Sequence, residues 1–110
     1  MSAYLIIEAH ITDPQRFAAY ARATPEVVAR YGGHYLVMGG EQQSLEGEHA
    51  PTRTVVSHWP DRAAALAFWH SPEYTAIKPL RAGTGTFRVL LADGARIQIL
   101  NDTATKGNAA

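Results

Sequence analysis

Cysteine is absent from the chain, which excludes disulfides, thiolate catalysis and thiolate metal sites together. Stability must then come from core packing and subunit association. An excess of either charge is also missing: Lys plus Arg and Asp plus Glu number 10 each, so no global field draws the protein to nucleic acid or to an anionic membrane. No stretch approaches the roughly twenty apolar residues that span a bilayer, and Met1 to His10 lacks the basic start and apolar run of a secretion signal. The expectation is a cytoplasmic protein whose partners are a small molecule or a second copy of itself, with no nucleic acid and no membrane. What is present is apolar. Hydrophobic residues make up 46% and charged residues 18% of 110 positions, enough for one packed core and too short a chain for two.

Tyr4 to Ile11 is rich in β-branched and aromatic residues and runs into Thr12-Asp13-Pro14, which predicts a strand leading into a helix capped by Asp13 with Pro14 in its first turn. Phe17, Tyr20, Ala21, Thr24 and Val28 fall on one helical face, and Gly32-Gly33 ends that helix. Pro25 interrupts the pattern and predicts a kink or a restart, with Thr24 recapping the second half. His34 to Met38 is a second strand, followed by a polar loop from Gly39 to Pro51 that is too long for a tight hairpin. Thr52 to Trp59 is a third strand. Pro60-Asp61 opens an alanine-rich helix, Ser71-Pro72 caps a short one that Pro79 ends, and Thr86 to Leu91 is a fourth strand closed by an Asp93-Gly94 turn. Residues 1–94 form the predicted domain. Within 95–110, Arg96 to Leu100 reads as a fifth strand or an arm on a neighbouring subunit, and Asn101 to Ala110 reads as a disordered tail.

The order β-α-β-β-α-β with right-handed crossovers predicts an α+β, ferredoxin-like domain: a four-stranded antiparallel sheet with its helices on one face. The strands carry apolar residues on both parities, Tyr4 and Ile6 against Leu5 and Ile7 and Val56 against Val55. A sheet that is apolar on both sides needs two covers, and the second is most simply the sheet of an identical subunit.

Several short motifs, Tyr31-Gly32-Gly33-His34-Tyr35-Leu36-Val37 with Gly39-Gly40, then Leu45-Glu46-Gly47, Arg53-Thr54-Val55-Val56, Ala63 to Trp69 and Ser71-Pro72-Glu73-Tyr74 with Arg81, resemble the DUF1330 family from about Tyr4 to Gly94. That resemblance implies the dimeric α/β-barrel superfamily, which includes cofactor-free quinol monooxygenases, muconolactone isomerase-like proteins and haem-binding branches. It implies no single activity, because fold is not function.

Candidate chemistry is sparse. Glu8 and His10 share one strand face, and His58 on the adjacent third strand is within reach of joining them as a proton-transfer set, so these three are the catalytic candidates. Polar residues at a wet strand end are the blander reading. Tyr20, Tyr35 and Tyr74 are candidates to line an apolar pocket, while Glu46, Arg53 and Arg81 are candidates either to hold an anion or to lock a loop. The remaining histidines are scattered, and no P-loop, dinucleotide fingerprint, zinc helix or nucleophile elbow is present. Neither metal nor cofactor is therefore expected. The function that follows is a small cofactor-independent enzyme, monooxygenase-like or isomerase-like, acting on an apolar or aromatic metabolite. A non-catalytic ligand-binding or stress-related homodimer is the alternative.

Overall fold

The computed structural model describes residues 1–94, so the predicted Arg96 to Leu100 strand or arm and the tail after it lie outside the described residues. The chain orders as β1 (Ser2–Ile11), α1 (Pro14–Arg30), β2 (His34–Met38), β3 (Arg53–Trp59), α2 (Arg62–Trp69), α3 (Pro72–Ile77), a 3-10 turn (Lys78–Arg81) and β4 (Gly85–Gly94). The four strands form one antiparallel sheet in the order β2-β3-β1-β4. This is the ferredoxin-like α+β arrangement, with β3 and β1 at the centre because each strand-helix-strand crossover skips one position. No helix among the described residues is long and apolar enough to cross a membrane.

Local chemistry sets the helix limits. Asp13 accepts a hydrogen bond from the Arg16 amide at 3.0 Å, Asp61 from Ala64 at 2.8 Å, and Ser71 from Tyr74 at 3.0 Å. Each cap pairs one of the free amides that every helix start leaves over. At the far end of α1, Gly33 N–H donates to the Val28 carbonyl and Gly32 N–H to Ala29, with Gly32 at φ 91. This is a Schellman closure, which needs the left-handed conformation that glycine adopts without steric cost.

Two expectations are corrected. Helix α1 is continuous through Pro25, so it does not restart there, and Thr24 does not recap it; its hydroxyl instead donates back to the Tyr20 carbonyl at 2.6 Å. The helix survives the lost Pro25 amide because Thr24, Val27 and Val28 are buried against the sheet, and that burial outweighs a missing bond. Asp93-Gly94 is not a turn but the end of β4, paired with Ala3 and Ser2. Gly94 fits there because a Cβ would meet the Tyr4 ring at 2.7 Å.

Alternation along the strands sorts the two faces. Ala3, Leu5, Ile7 and Ala9 of β1, Val55, Ser57 and Trp59 of β3, and Phe87, Val89 and Leu91 of β4 share the helix-covered side. Its core holds Trp59, Phe68 and Tyr74, with ring centroids 4.9 Å apart for Trp59–Phe68 and 4.6 Å for Phe68–Tyr74. Burying each such side chain contributes about 1.5–3 kcal/mol, and aromatic pairing adds about 0.5–1.5. The opposite side carries Tyr4, Ile6, Val56 and Leu90 in the middle of the sheet, with Leu36 54%, Val37 45% and Leu90 61% exposed. Nothing in the described chain covers it.

Candidate functional site

The helix-covered side does not close completely. Between α1, α3 and the sheet lies a cavity of ≈ 180 Å³, walled by Leu5, Ile7, Phe17, Tyr20, Thr24, Tyr35, Phe68, Trp69, Tyr74, Arg81 and Phe87 among others. Its floor is opened by Ala9, which stands in one row between Arg53 of β3 and Phe87 of β4. The small Ala9 side chain leaves space that a branched residue at that position would fill. Phe17, Tyr20, Ala21, Thr24 and Val28, the apolar face read from the α1 sequence, all border this space.

Of the polar groups in the lining, Tyr20, Tyr74 and Arg81 lie together, while Thr24, Tyr35, Arg53 and Ser57 also border the space. The hydroxyls of Tyr20 and Tyr74 share a hydrogen bond of 2.7 Å. The Arg81 guanidinium lies 4.4 Å from the Phe87 ring and 5.6 Å from that of Tyr20. Both contacts are cation–π geometry, which holds a guanidinium flat without a carboxylate. Its Nε is buried with no hydrogen-bond partner among the described residues. Among the described residues, no Asp, Glu or His borders the cavity. Burial, with the neighbouring Tyr74 adding to it, pushes the Tyr20 phenol far up, against the pull of Arg81; burial likewise pushes Tyr35 to about 12. Both phenols are therefore protonated at neutral pH and serve as hydrogen-bonding groups rather than as bases.

The residues singled out from sequence divide between two faces. Tyr20, Tyr35, Tyr74, Arg53 and Arg81 all border the cavity. Arg53 is exposed at its edge, packed beside Gly39. Glu46 is not there: it sits in the exposed loop, where its carbonyl accepts from His49 Nε2 at 2.9 Å, and it forms no ion pair with Arg53 among the described residues.

Glu8, His10 and His58 lie on the other side of the sheet. Glu8 pairs with Arg88 at 3.3 Å, and His10 Nδ1 donates to the Pro51 carbonyl at 3.0 Å, tethering the long loop. His58 shares a hydrogen bond of 2.9 Å with Ser2 and packs against Tyr4 and His34. The register sets His58 opposite Tyr4 and Thr54 opposite Glu8, so His58 stands four residues along the strand from the Glu8 row, about 13 Å at strand rise. The structure brings Glu8 near His10 and does not bring His58 to them.

Phe87, Phe17 and Thr24 are site-lining residues that the sequence reading passed over as candidates. Phe87 carried a usable signal, because it shares strand parity with Val89 and Leu91 and so had to face the helices. Among the described residues no group of three His, Asp or Glu side chains converges as a metal site would require.

Comparison with solved structures places this architecture among known folds. A protein of unknown function from Rhodopseudomonas palustris superimposes with TM-score 0.71 at 17% identity, covering 86% of this chain and 83% of its own. SnoaB, a cofactor-independent oxygenase from Streptomyces nogalater, superimposes with TM-score 0.64 at 12% identity, over 86% of this chain and 94% of its own. An ethd family protein from Bacillus halodurans gives TM-score 0.54 at 14% identity, over 86% and 100%. At such identities the likeness is one of fold. No curated protein matches the sequence. The sequence does match the family described as "Domain of unknown function (DUF1330)" over residues 2–95, nearly the whole described chain, and the protein belongs to that family.

Proposed function

We propose that the protein is a cytoplasmic homodimer whose helix–sheet cavity binds a single-ring phenolic or enolic metabolite, on which it acts as a cofactor-independent, monooxygenase-like enzyme. The observation that carries this reading is Arg81, a cation held between two aromatic rings at an apolar cavity with a buried, unpartnered Nε. An unpaired buried donor on a charged group is costly, and an anionic ligand oxygen offsets that cost.

Size supports one ring. A dry cavity of roughly 150 Å³ accepts benzene, and this one is ≈ 180 Å³. The Tyr20–Tyr74 hydroxyl pair orients the ring oxygen, and Arg81 favours its ionised form. A phenolate or enolate is the electron-rich species that gives electrons to dioxygen without a cofactor, and it is also the intermediate of an isomerisation, so stabilising it serves either reaction. The fold likeness to a cofactor-independent oxygenase supports the oxygenase branch. Since no carboxylate or imidazole among the described residues borders the cavity, the substrate's own acidity, raised by Arg81, supplies the anion, with the proton released to water.

The homodimer rests on the uncovered apolar side of the sheet. There Leu90 is exposed and Tyr4, Ile6 and Val56 are half-buried in the single chain, and a face-to-face copy removes the rest of their surface from water. Glu8, His10 and His58 then belong to the subunit interface and the loop that borders it.

The missing base favours one further reading, a binding protein without turnover. Thermal-shift measurement with quinols, cyclic lactones and aromatic acids, followed by oxygen-electrode recording on any ligand that stabilises, separates the two. A ligand at a hundred times its Kd stabilises by about 2.7 kcal/mol. Stabilisation with oxygen uptake supports the enzyme, stabilisation alone supports the binding protein, and no stabilisation by any ring compound rejects both.

A further inference from the structure

We propose that the cavity is the inner half of a two-compartment site and that the outer half takes a carboxylate, so that the ligand is a phenolic or enolic ring bearing an acidic arm. This rests on the reading of the cavity as the ring site. Trp69, Arg81 and Phe87 border two spaces at once: the enclosed cavity, and an open cleft of ≈ 640 Å³ completed by His70, Thr75, Lys78, Pro79 and the Ala82–Gly85 turn. The stacked Arg81 side chain is the partition between them.

The outer cleft is positively charged although the chain is not. Lys78 Nζ sits 4.4 Å from the centre of the Trp69 ring, and no Asp or Glu among the described residues borders the cleft. Ion pairs among the described residues engage Arg16, Arg30, Arg62 and Arg88 but neither Lys78 nor Arg81. Arg16 adds to the rim, donating through Nη2 to the Ala82 carbonyl at 3.3 Å. Arg16 is itself paired, 4.0 Å from the Asp13 carboxylate. With a formal net charge of +0 for the whole chain, this concentration of cation is local, and it sits at the outer side of an apolar cavity. An anion in the cleft would have Lys78 on one side and Arg81 on the other, while the ring it carries passes Arg81 into the inner space. Lys78 supplies a point charge on a flexible stem, which suits an arm of one or two carbons, and Arg81 supplies the fixed planar donor.

Calorimetric titration of the full chain with ortho-ethylphenol and ortho-hydroxyphenylpropanoate compares one ring with and without the acid, the hydroxyl and the arm both lying on the Arg81 side. The acid binds about tenfold more tightly, and in Lys78→Met the advantage narrows to about threefold or less, as expected for a charge pair at a solvent-facing rim. Added salt erodes the acid's advantage and not the phenol's affinity. Circular dichroism and the melting temperature of Lys78→Met establish that the variant is folded. Equal affinities for the two ligands overturn the outer compartment and leave the ring site standing. An advantage that persists undiminished in Lys78→Met overturns it as well, because the acid is then held elsewhere. Binding of neither ligand removes the ring site and this inference together.

Discussion

The Tyr20–Tyr74 hydroxyl pair offers a quantitative test of how the cavity end is built. The two oxygens lie 2.7 Å apart, and Tyr74 is only 2% exposed, so bulk water does not readily replace a missing partner there. Tyr74→Phe leaves the Tyr20 hydroxyl unpaired in a buried place, and Tyr20→Phe does the same to Tyr74. Each single change costs about 1–3 kcal/mol, the penalty of an orphaned buried polar group. The double variant removes both hydroxyls, leaves no orphan and keeps both rings. It should cost no more than the worse single, giving a coupling of about 1–2 kcal/mol between the sites. Urea unfolding of the four proteins at one fixed concentration measures this, provided the m-values agree. Costs that simply add within about 0.5 kcal/mol would show that the two hydroxyls do not depend on each other.

The same burial predicts an alkaline limit on stability. Tyr35 rises from 10.0 to about 12 on folding, and Tyr20 also rises; the folded state therefore favours the protonated phenols, a contribution that is complete below the unfolded value and lost as pH climbs through the folded one. Urea midpoints should fall between pH 10 and 12, and Tyr35→Phe should flatten part of that fall; an unchanged slope contradicts the burial of this phenol. Gly33→Ala would put a Cβ 2.7 Å from the Trp59 ring and 2.8 Å from Val28, and because Trp59 is 0% exposed the ring has nowhere to move. The cost should be about 1–3 kcal/mol, read as a lower melting temperature, and a wild-type value would mean that the Schellman turn relaxes freely. Leu90→Glu places a charge on the uncovered sheet face, where Leu90 is 61% exposed, so it should leave the single chain folded while lowering the sedimentation mass from dimer to monomer. A dimer that tolerates the change moves the interface elsewhere.

Much of the architecture was legible in the sequence because local signals agreed with one another. Asp13, Asp61 and Ser71 each announced a helix start that the structure caps as expected, and strand parity separated Leu5 and Ile7 from Tyr4 and Ile6. Pro25 misled because propensity was weighed without the tertiary burial of Thr24, Val27 and Val28, which local chemistry cannot report. Asp93-Gly94 misled for a related reason. The turn preference of that pair is real, but Ser2 and Ala3 on β1 extend far enough to pair with it, a non-local fact.

The candidate site was legible by residue type and not by face. The three tyrosines, Arg53 and Arg81 meet at one cavity, as aromatic and cationic residues at helical and strand spacing allowed. The Glu8, His10 and His58 set was chosen on shared parity and strand adjacency, both of which hold. Parity alone did not say which side of the sheet the helices cover, nor did adjacency fix the register that separates His58 from Glu8. Glu46 was grouped with Arg53 through sequence proximity to a loop whose carboxylate faces solvent. Lys78 and Trp69 come together only because a 3-10 turn follows α3, a geometry that sequence spacing leaves undetermined.

The proposed function requires the ring to enter the helix–sheet cavity rather than meet the open face of the sheet. Aromatic and methyl carbon–proton correlation spectra, recorded while ortho-hydroxyphenylpropanoate is titrated in, test this directly by ring-current shifts. Saturable shifts confined to Phe17, Tyr20, Tyr74 and Phe87 are the predicted result. Shifts centred on Tyr4, Ile6, Val56 and Leu90, or none at all, would contradict it.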